Sequence, residues 1–360
     1  MRPAFVPGIE LARLYHSELV GPLLAENFPG LAYSAALIGP GSEVLGFDTP
    51  RSTDHDWGPR LQVFVADEGP AAAIRALLAD RLPERFRGYR TVFPRSGAGP
   101  DTAAHWVEAR ALSDWLSRAL GFDPRAGVGL ADWLATPTQI LAEVTGGAVF
   151  HDGLAALPAG GLGAARTALQ WYPPDVWRYV LACQWQRIDQ EEPFPGRCAE
   201  AGDDLGSALV AARLVRDLVR LVLLMQRRYP PYSKWLGTAL ARTRAAAGIL
   251  PLLTGVLAAA SWQDREQALA AACEAAARMH NDLELTAPVD PATRPAYFDR
   301  PCRVLGAGRF ARALRDSIRD ERIRALPPAG AIDQFVDSTD AIGDRRLLRA
   351  ATEAMTGETP

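Results

Sequence analysis

One stretch constrains the fold of this 360-residue chain more than any other: residues 38–57, IGPGSEVLGFDTPRSTDHDW. A short apolar run, residues 31–38, reads as a strand that ends at a Gly-Pro-Gly-Ser turn. Beyond the turn lie two carboxylates one residue apart, Asp54 and Asp56, with His55 between them. If residues 54–56 are extended, Asp54 and Asp56 share one face and His55 points to the other. Two carboxylates aimed at one point suit a divalent cation. The backbone N–H groups of a Gly41-Ser42 turn and the Ser42 hydroxyl suit phosphate oxygens. Phosphate cradle and acidic pair together are the equipment for phosphoryl or nucleotidyl transfer.

The rest of the first 120 residues fits an α/β layout. Residues 9–28 read as an opening helix that Pro22 kinks. Residues 62–66 and 105–111 read as further strands, residues 71–82 as a helix and residues 92–102 as a Pro/Gly loop. From residue 112 onward the helical period dominates, with helices expected over 114–120, 131–144, 175–189, 203–228, 233–246, 251–260 and 263–279. In 203–228, Leu205, Leu209, Ala212, Leu218, Leu221, Val222 and Met225 make one stripe, and Asp203 or Asp204 is a candidate N-cap. Residues 352–360 read as a frayed end. The boundary is expected near residue 120, giving an α/β domain over 1–120 and a larger, mainly helical domain over 121–360.

Composition sets bounds on partners. Hydrophobic residues make up 48% and charged residues 22%, with a net charge of −3. Nothing in that balance calls for nucleic acid or membrane lipid. The four cysteines are widely spaced, so neither a zinc ribbon nor a redox pair is expected. Without a signal-peptide core or a long apolar run, a cytoplasmic protein is expected.

The Gly-Ser turn followed by Asp-x-Asp resembles the signature of the DNA polymerase beta-like nucleotidyltransferase superfamily. Pro40 and His55 depart from the hydrophobic residues usual there. Further segments, among them ATPTQILAEVTGGAVFHD, YPPDVWRYVLACQWQRIDQEEPFPGR, DDLGSALVAARLVRDLVRLVLLMQRRYPPYSKWLG and FDRPCRVL, resemble a bacterial domain-of-unknown-function family within that superfamily. The resemblance implies a nucleotidyltransferase α/β domain, a mixed sheet with flanking helices, and a helical domain closing the active-site cleft. It implies Mg²⁺-dependent transfer of a nucleoside monophosphate, AMP above others, from a triphosphate such as ATP to an acceptor hydroxyl, with pyrophosphate release. Two Mg²⁺ ions would sit on Asp54, Asp56 and a third acid on a following strand. Glu108 is preferred for that third role over Asp67, whose Asp-Glu-Gly-Pro context is that of a turn. An exposed Glu108 paired with Arg110 is the structural alternative.

Gly41 and Ser42 would position the triphosphate. Arg51, Ser52, Thr53 and Arg60 flank the acidic pair and suit either phosphate or solvent. The segment 226–235, QRRYPPYSKW, offers Lys234 for the phosphate tail and Tyr229 or Tyr232 for stacking. Glu191 and Glu192 are weaker candidates for a general base, and solvated charge at a helix end explains them better. The charged face Arg213, Arg216, Asp217 and Arg220 suits either a cleft or an exposed salt-bridged surface. Acceptor, base preference and oligomeric state stay open. A nucleotide-binding or toxin–antitoxin-type module with little turnover, and a metal-dependent phosphohydrolase, are the alternative classes.

Overall fold

The structure is a computed structural model that describes residues 3–94, 103–295, 297–300 and 302–357. It divides into two compact units, Met1–Asp132 with Ile140–Gln170, and Trp133–Gln139 with Trp171–Pro360. The sequence suggested one crossing near residue 120. The chain instead returns to the first unit because a late strand pairs with the first one.

The first unit begins with α1 (Gly8–Tyr15) and α2 (Gly21–Asn27), followed by β1 (Tyr33–Leu37), β2 (Arg60–Val65) and α3 (Gly69–Arg81). Next come β3 (Arg85–Phe86), β4 (Tyr89–Arg90), β5 (Val92–Phe93), β6 (Ala104–Ala111) and α4 (Leu112–Leu120). The chain passes into the second unit within α5 (Leu130–Ala135) and returns within α6 (Thr138–Thr145), to be followed by β7 (Ala148–Asp152) and α7 (Leu162–Ala168). The five-stranded sheet runs β5-β6-β2-β1-β7. β2 and β6 are parallel and the other pairs antiparallel, so the sheet is mixed.

Alternation along β2 explains how the helices sit on the sheet. Leu61, Val63 and Val65 join Leu11, Tyr15, Ile74 and Leu78 in one core, under α1 and α3. Phe64 faces the other way and meets Trp115 of α4 edge-on, with ring centroids 5.5 Å apart. Gln62, on the same face as Phe64, bonds the backbone of Ile38 at both ends, donating to its C=O at 3.0 Å and accepting from its N–H at 3.1 Å. This side chain prolongs the ladder beyond the end of β1, where the chain leaves the sheet for the Gly-Ser turn.

Two helices expected as single runs are interrupted by proline. Between α1 and α2 the residues His16–Val20 form a π turn, and Gly21 N–H bonds His16 O. Pro22 has no N–H to give, and the wider turn absorbs the missing bond. Pro137 likewise splits the expected helix 131–144 into α5 and α6. Of the expected loop 92–102, Val92 and Phe93 are strand residues paired with His105 and Ala104, and 95–102 lie outside the described residues.

The second unit is helical: α8 (Pro174–Glu191), α9 (Phe194–Glu200), α10 (Asp204–Met225), α11 (Leu236–Ala241), α12 (Ala246–Ala258) and α13 (Trp262–Asn281). It ends with α14 (Gly308–Asp316), α15 (Glu321–Arg324), α16 (Thr339–Gly343) and α17 (Arg345–Thr356). Asp203 caps α10 by accepting from Gly206 N–H at 2.7 Å. The stripe expected on α10 holds only in its later half, since Leu205 and Leu209 are exposed. The expected fraying from residue 352 is not seen through Thr356, because Thr352 is buried within α17; 358–360 lie outside the described residues. Among the described residues no helix is long and apolar enough to cross a membrane.

Candidate functional site

The acidic pair does not sit on a strand. Pro50–Asp54 forms a 3-10 turn, with Thr49 accepting from Arg51 N–H at 3.3 Å and Ser52 accepting from Thr49 N–H at 3.1 Å. Asp54 is its last residue and His55 is extended, while Asp56 takes a left-handed φ of 47°. The polar Thr-Pro-Arg-Ser-Thr run favours a turn over a strand, because hydroxyls and a proline cap and start it. The sheet therefore resumes only at Arg60, and the same-face argument for Asp54 and Asp56 is replaced by a turn geometry.

That turn forms part of a cavity. A depression of about 360 Å³ is lined by Thr53, Asp54, His55, Asp56, Trp57, Gly58, Tyr89, Arg90, Phe93 and Pro94. The carboxylates thus share a concave surface with aromatic rings and a guanidinium. His55 does not pack in the core. It is exposed, with Nδ1 2.8 Å from Asp54 Oδ1. Desolvation acts to raise the Asp54 pKa, but the His55 charge, its hydrogen bond and backbone N–H groups outweigh it and hold Asp54 below its ordinary value.

The aromatic wall is braced from below. Trp57 is buried, and its indole N–H donates to Asp48 Oδ2 at 3.1 Å. The same oxygen accepts from Gly8 N–H at 2.7 Å, so Asp48 ties the acidic turn to the start of α1. Tyr89 meets Trp57 edge-on at 5.2 Å, and its hydroxyl donates to Ala4 O at 2.8 Å. Phe93 packs tilted against Trp106, with ring centroids 4.5 Å apart. Gly58 leaves room for it, since a Cβ there would lie 2.9 Å from the ring. Arg90 is exposed and makes no ion pair among the described residues.

Sequence reasoning missed Tyr89, Arg90 and Phe93. The signal was present in Phe86-Arg87-Gly88-Tyr89. Arg87 and Gly88 both take positive φ, 49° and 86°, between the paired residues Phe86 and Tyr89. That is a two-residue hairpin loop with glycine at its second position.

The Gly41-Ser42 turn lies under an arginine. Gly41 has φ 149°, and a Cβ there would come within 2.2 Å of the Arg60 guanidinium. Arg60 donates to Pro40 O at 2.5 Å and to Glu43 Oε1 at 2.7 Å. Glu43 is almost wholly buried, so this ion pair fixes the turn from inside. Ser42 is half-buried; its carbonyl accepts from Phe47 N–H at 2.7 Å, and its hydroxyl has no hydrogen-bond partner among the described residues.

Glu108 stands on β6 opposite Gln62 of β2, the sheet's central strand. Its carboxylate is 2.6 Å from the Arg110 guanidinium. Asp67 accepts from Gly69 N–H at 3.0 Å, at the start of α3. Among the described residues no group of three or more His, Cys, Asp or Glu side chains is placed to hold a metal ion. Asp54, Asp56 and Glu108 are therefore not gathered into the three-carboxylate centre that the resemblance implies.

The remaining candidates lie in the second unit. Tyr232 is exposed, and its N–H donates to Gln139 Oε1 at 2.9 Å. Lys234 is exposed on the Ser233–Trp235 turn with its ammonium 4.9 Å from the Trp235 ring centroid. Tyr229 is buried between Trp171 and Tyr172, at 4.7 and 5.3 Å, and is a core residue rather than a stacking platform. The charged face of α10 is committed to ion pairs: Arg213 with Glu191, Arg216 with Asp337, Asp217 with Arg187 and Arg220 with Asp333. Glu192 is buried rather than solvated and accepts from the N–H groups of Leu305 at 2.7 Å and Ala307 at 2.9 Å. Burial pushes its pKa up to about 7, against the pull of those N–H groups. It organises the Gly306-Ala307-Gly308 turn.

A family model described as "Domain of unknown function (DUF4037)" matches residues 133–236. No curated protein matches the chain. Among solved structures, a nucleotidyltransferase-like protein from Exiguobacterium sibiricum 255-15 is similar at 12% identity, over 77% of this chain and 78% of that one, with a TM-score of 0.30. The family match covers α6, β7 and the start of the helical unit. The Gly-Ser turn and the Asp54–Asp56 turn lie outside it.

Proposed function

We propose that this chain binds a nucleoside triphosphate as its Mg²⁺ complex and transfers the nucleoside monophosphate, AMP as the first candidate, to an acceptor hydroxyl with release of pyrophosphate. The observation that carries this reading is the 360 Å³ cavity in which Asp54 and Asp56 share walls with Tyr89, Arg90 and Phe93. The volume lies in the range of small-molecule sites. Aromatic faces suit a base, a guanidinium suits phosphate, and two carboxylates suit the cation that accompanies a triphosphate. Asp54 and Asp56 are assigned to the incoming metal–nucleotide. The Gly41-Ser42 turn, with Arg60 against it, is assigned to phosphate.

A specific observation favours a second reading, that of a nucleotide-binding module with little turnover. Glu108, the preferred third acid, is engaged by Arg110. Incubation with each nucleoside triphosphate and Mg²⁺, with chromatography of the products, separates the cases. Transfer gives pyrophosphate, a phosphohydrolase gives inorganic phosphate, and a binding module gives neither. Phosphate as the sole product would sink the proposed reaction, and the absence of any product would replace it by the binding reading.

A further inference from the structure

A second cavity, of about 440 Å³, lies in the helical unit and is lined by Gln186, Asp189, Gly308, Ala311, Arg312, Arg315, Asp316 and Arg324. We propose that it is a binding site for a compact phosphate-bearing anion, inorganic or esterified to a sugar. This inference does not rest on the nucleotidyl-transfer reading and uses none of its residues.

Three guanidiniums border one hollow, from successive turns of α14 and from α15. Their commitments within the protein are slight. Arg312 is exposed and has no ion pair or hydrogen bond among the described residues. Among the described residues Arg315 donates to the carbonyls of Arg324 and Leu326, both at 3.4 Å. Arg324 reaches Ile318 O at 3.3 Å and Glu321 Oε1 at 3.4 Å. These distances exceed those of a well-formed N–H···O bond. Bringing like charges round one hollow is unfavourable unless an anion joins them, and forked guanidiniums match phosphate oxygens.

Two acids also line the hollow, and they act unequally. Asp189 is turned to the start of α14, where Oδ1 accepts from Gly308 N–H at 2.7 Å and Oδ2 only weakly from Gln186 at 3.3 Å; these neutral donors orient the carboxylate but leave its charge in place. A Cβ at Gly308 would lie 2.8 Å from that carboxylate, so the glycine permits the close approach. The lining therefore sets Arg312, Arg315 and Arg324 against Asp189 and Asp316, an excess of positive charge, with Asp189 oriented towards α14. Among the described residues no aromatic ring lines the cavity, so recognition falls to charge rather than to base stacking.

The test is calorimetric titration of the full chain at low ionic strength, with EDTA, using inorganic phosphate, pyrophosphate and glucose 6-phosphate in turn. At least one should bind, and which one distinguishes an inorganic from an ester ligand. Arg312→Glu should weaken that binding by roughly tenfold or more, as loss of a charge-assisted contact implies. Arg315→Gln should weaken it in the same sense. Arg312 is exposed and makes no ion pair or hydrogen bond among the described residues, so its variant should melt like the parent. Asp54→Asn should leave this affinity unchanged while weakening metal–nucleotide binding, measured separately with Mg²⁺, which separates failure here from failure of the proposed reaction. No binding of any of the three anions to the parent, or equal affinity in Arg312→Glu, would overturn the assignment.

Discussion

Glu108 Oε1 lies 2.6 Å from Arg110 Nη2, two residues along the same strand and on the same face of β6. Arg110 also reaches Asp114 at 3.2 Å, so one guanidinium holds two carboxylates at the join of β6 and α4. A carboxylate held this way is a structural partner before it is a metal ligand. Glu108→Gln is therefore expected to leave Mg–nucleotide affinity within about twofold and to cost up to about 1 kcal/mol of stability, since the pair is partly exposed. Asp54→Asn is expected to lower the same affinity by roughly tenfold or more, through loss of a charged contact. Calorimetric titration of both variants decides the matter. Equal losses would return Glu108 to the site.

Asp56 separates function from stability. Its φ of 47° is a conformation that L-residues adopt at a cost and that glycine adopts freely. Asp56→Gly relieves that backbone cost but gives up the side chain and frees the unfolded chain, so stability should stay within ~1 kcal/mol of the parent while binding of the metal–nucleotide is lost. Asp56→Asn tolerates the same backbone and keeps a hydrogen-bonding side chain, so it should lose binding with little change in melting temperature. A marked drop in melting temperature for the glycine variant would mean that the carboxylate serves the fold instead.

Local signals carried much of the architecture. The apolar run before Gly39, the run after Pro59 and the mixed run 105–111 all became strands of one sheet. Asp203 capped the helix it was assigned to. Pairing was not readable, because β7 meets β1 across a long separation that no periodicity records. The acidic pair was legible as residues but misjudged in conformation, since Asp-x-Asp carries no local preference strong enough to outweigh the Thr49-Pro50 turn before it. Tyr89 and Arg90 went unseen because their strand is two residues long, too short for any alternation to register. The burial of Glu192 was hidden for another reason: its N–H partners come from residues 305–307, far along the chain.

The buried pair Arg220–Asp333 offers a test of the helical unit. Asp333 Oδ2 accepts from Arg220 at 2.9 Å, from Thr138 N–H at 3.1 Å and from the Thr138 hydroxyl at 2.5 Å. Both charges are nearly excluded from water. Removing one partner leaves the other charge buried and poorly compensated, which costs about 3–5 kcal/mol. Arg220→Ala should lower the urea midpoint accordingly. Thr138→Val should have a smaller effect, because the ion pair survives it. A midpoint for Arg220→Ala close to the parent value would show that water compensates Asp333.

Two buried groups should oppose one another in acid. His280 accepts from the Trp185 indole N–H through Nδ1 at 3.2 Å, so its own proton sits on Nε2, 3.2 Å from the Thr286 hydroxyl. Burial lowers its pKa from 6.5 to about 4. The unfolded chain therefore binds a proton first, and this group's contribution, full above pH 6.5, is lost as pH falls towards 4. Glu192 works in reverse: burial raises its pKa from 4.5 to about 7, so its contribution is full below pH 4.5 and is lost as pH rises through 7. Each shift corresponds to about 3 kcal/mol. In the parent the two slopes largely cancel between pH 4.5 and 6.5. Denaturation across that window should therefore show His280→Gln gaining stability on acidification relative to the parent, and Glu192→Gln losing it. Parallel profiles for the parent and both variants would mean that neither group titrates as its surroundings dictate.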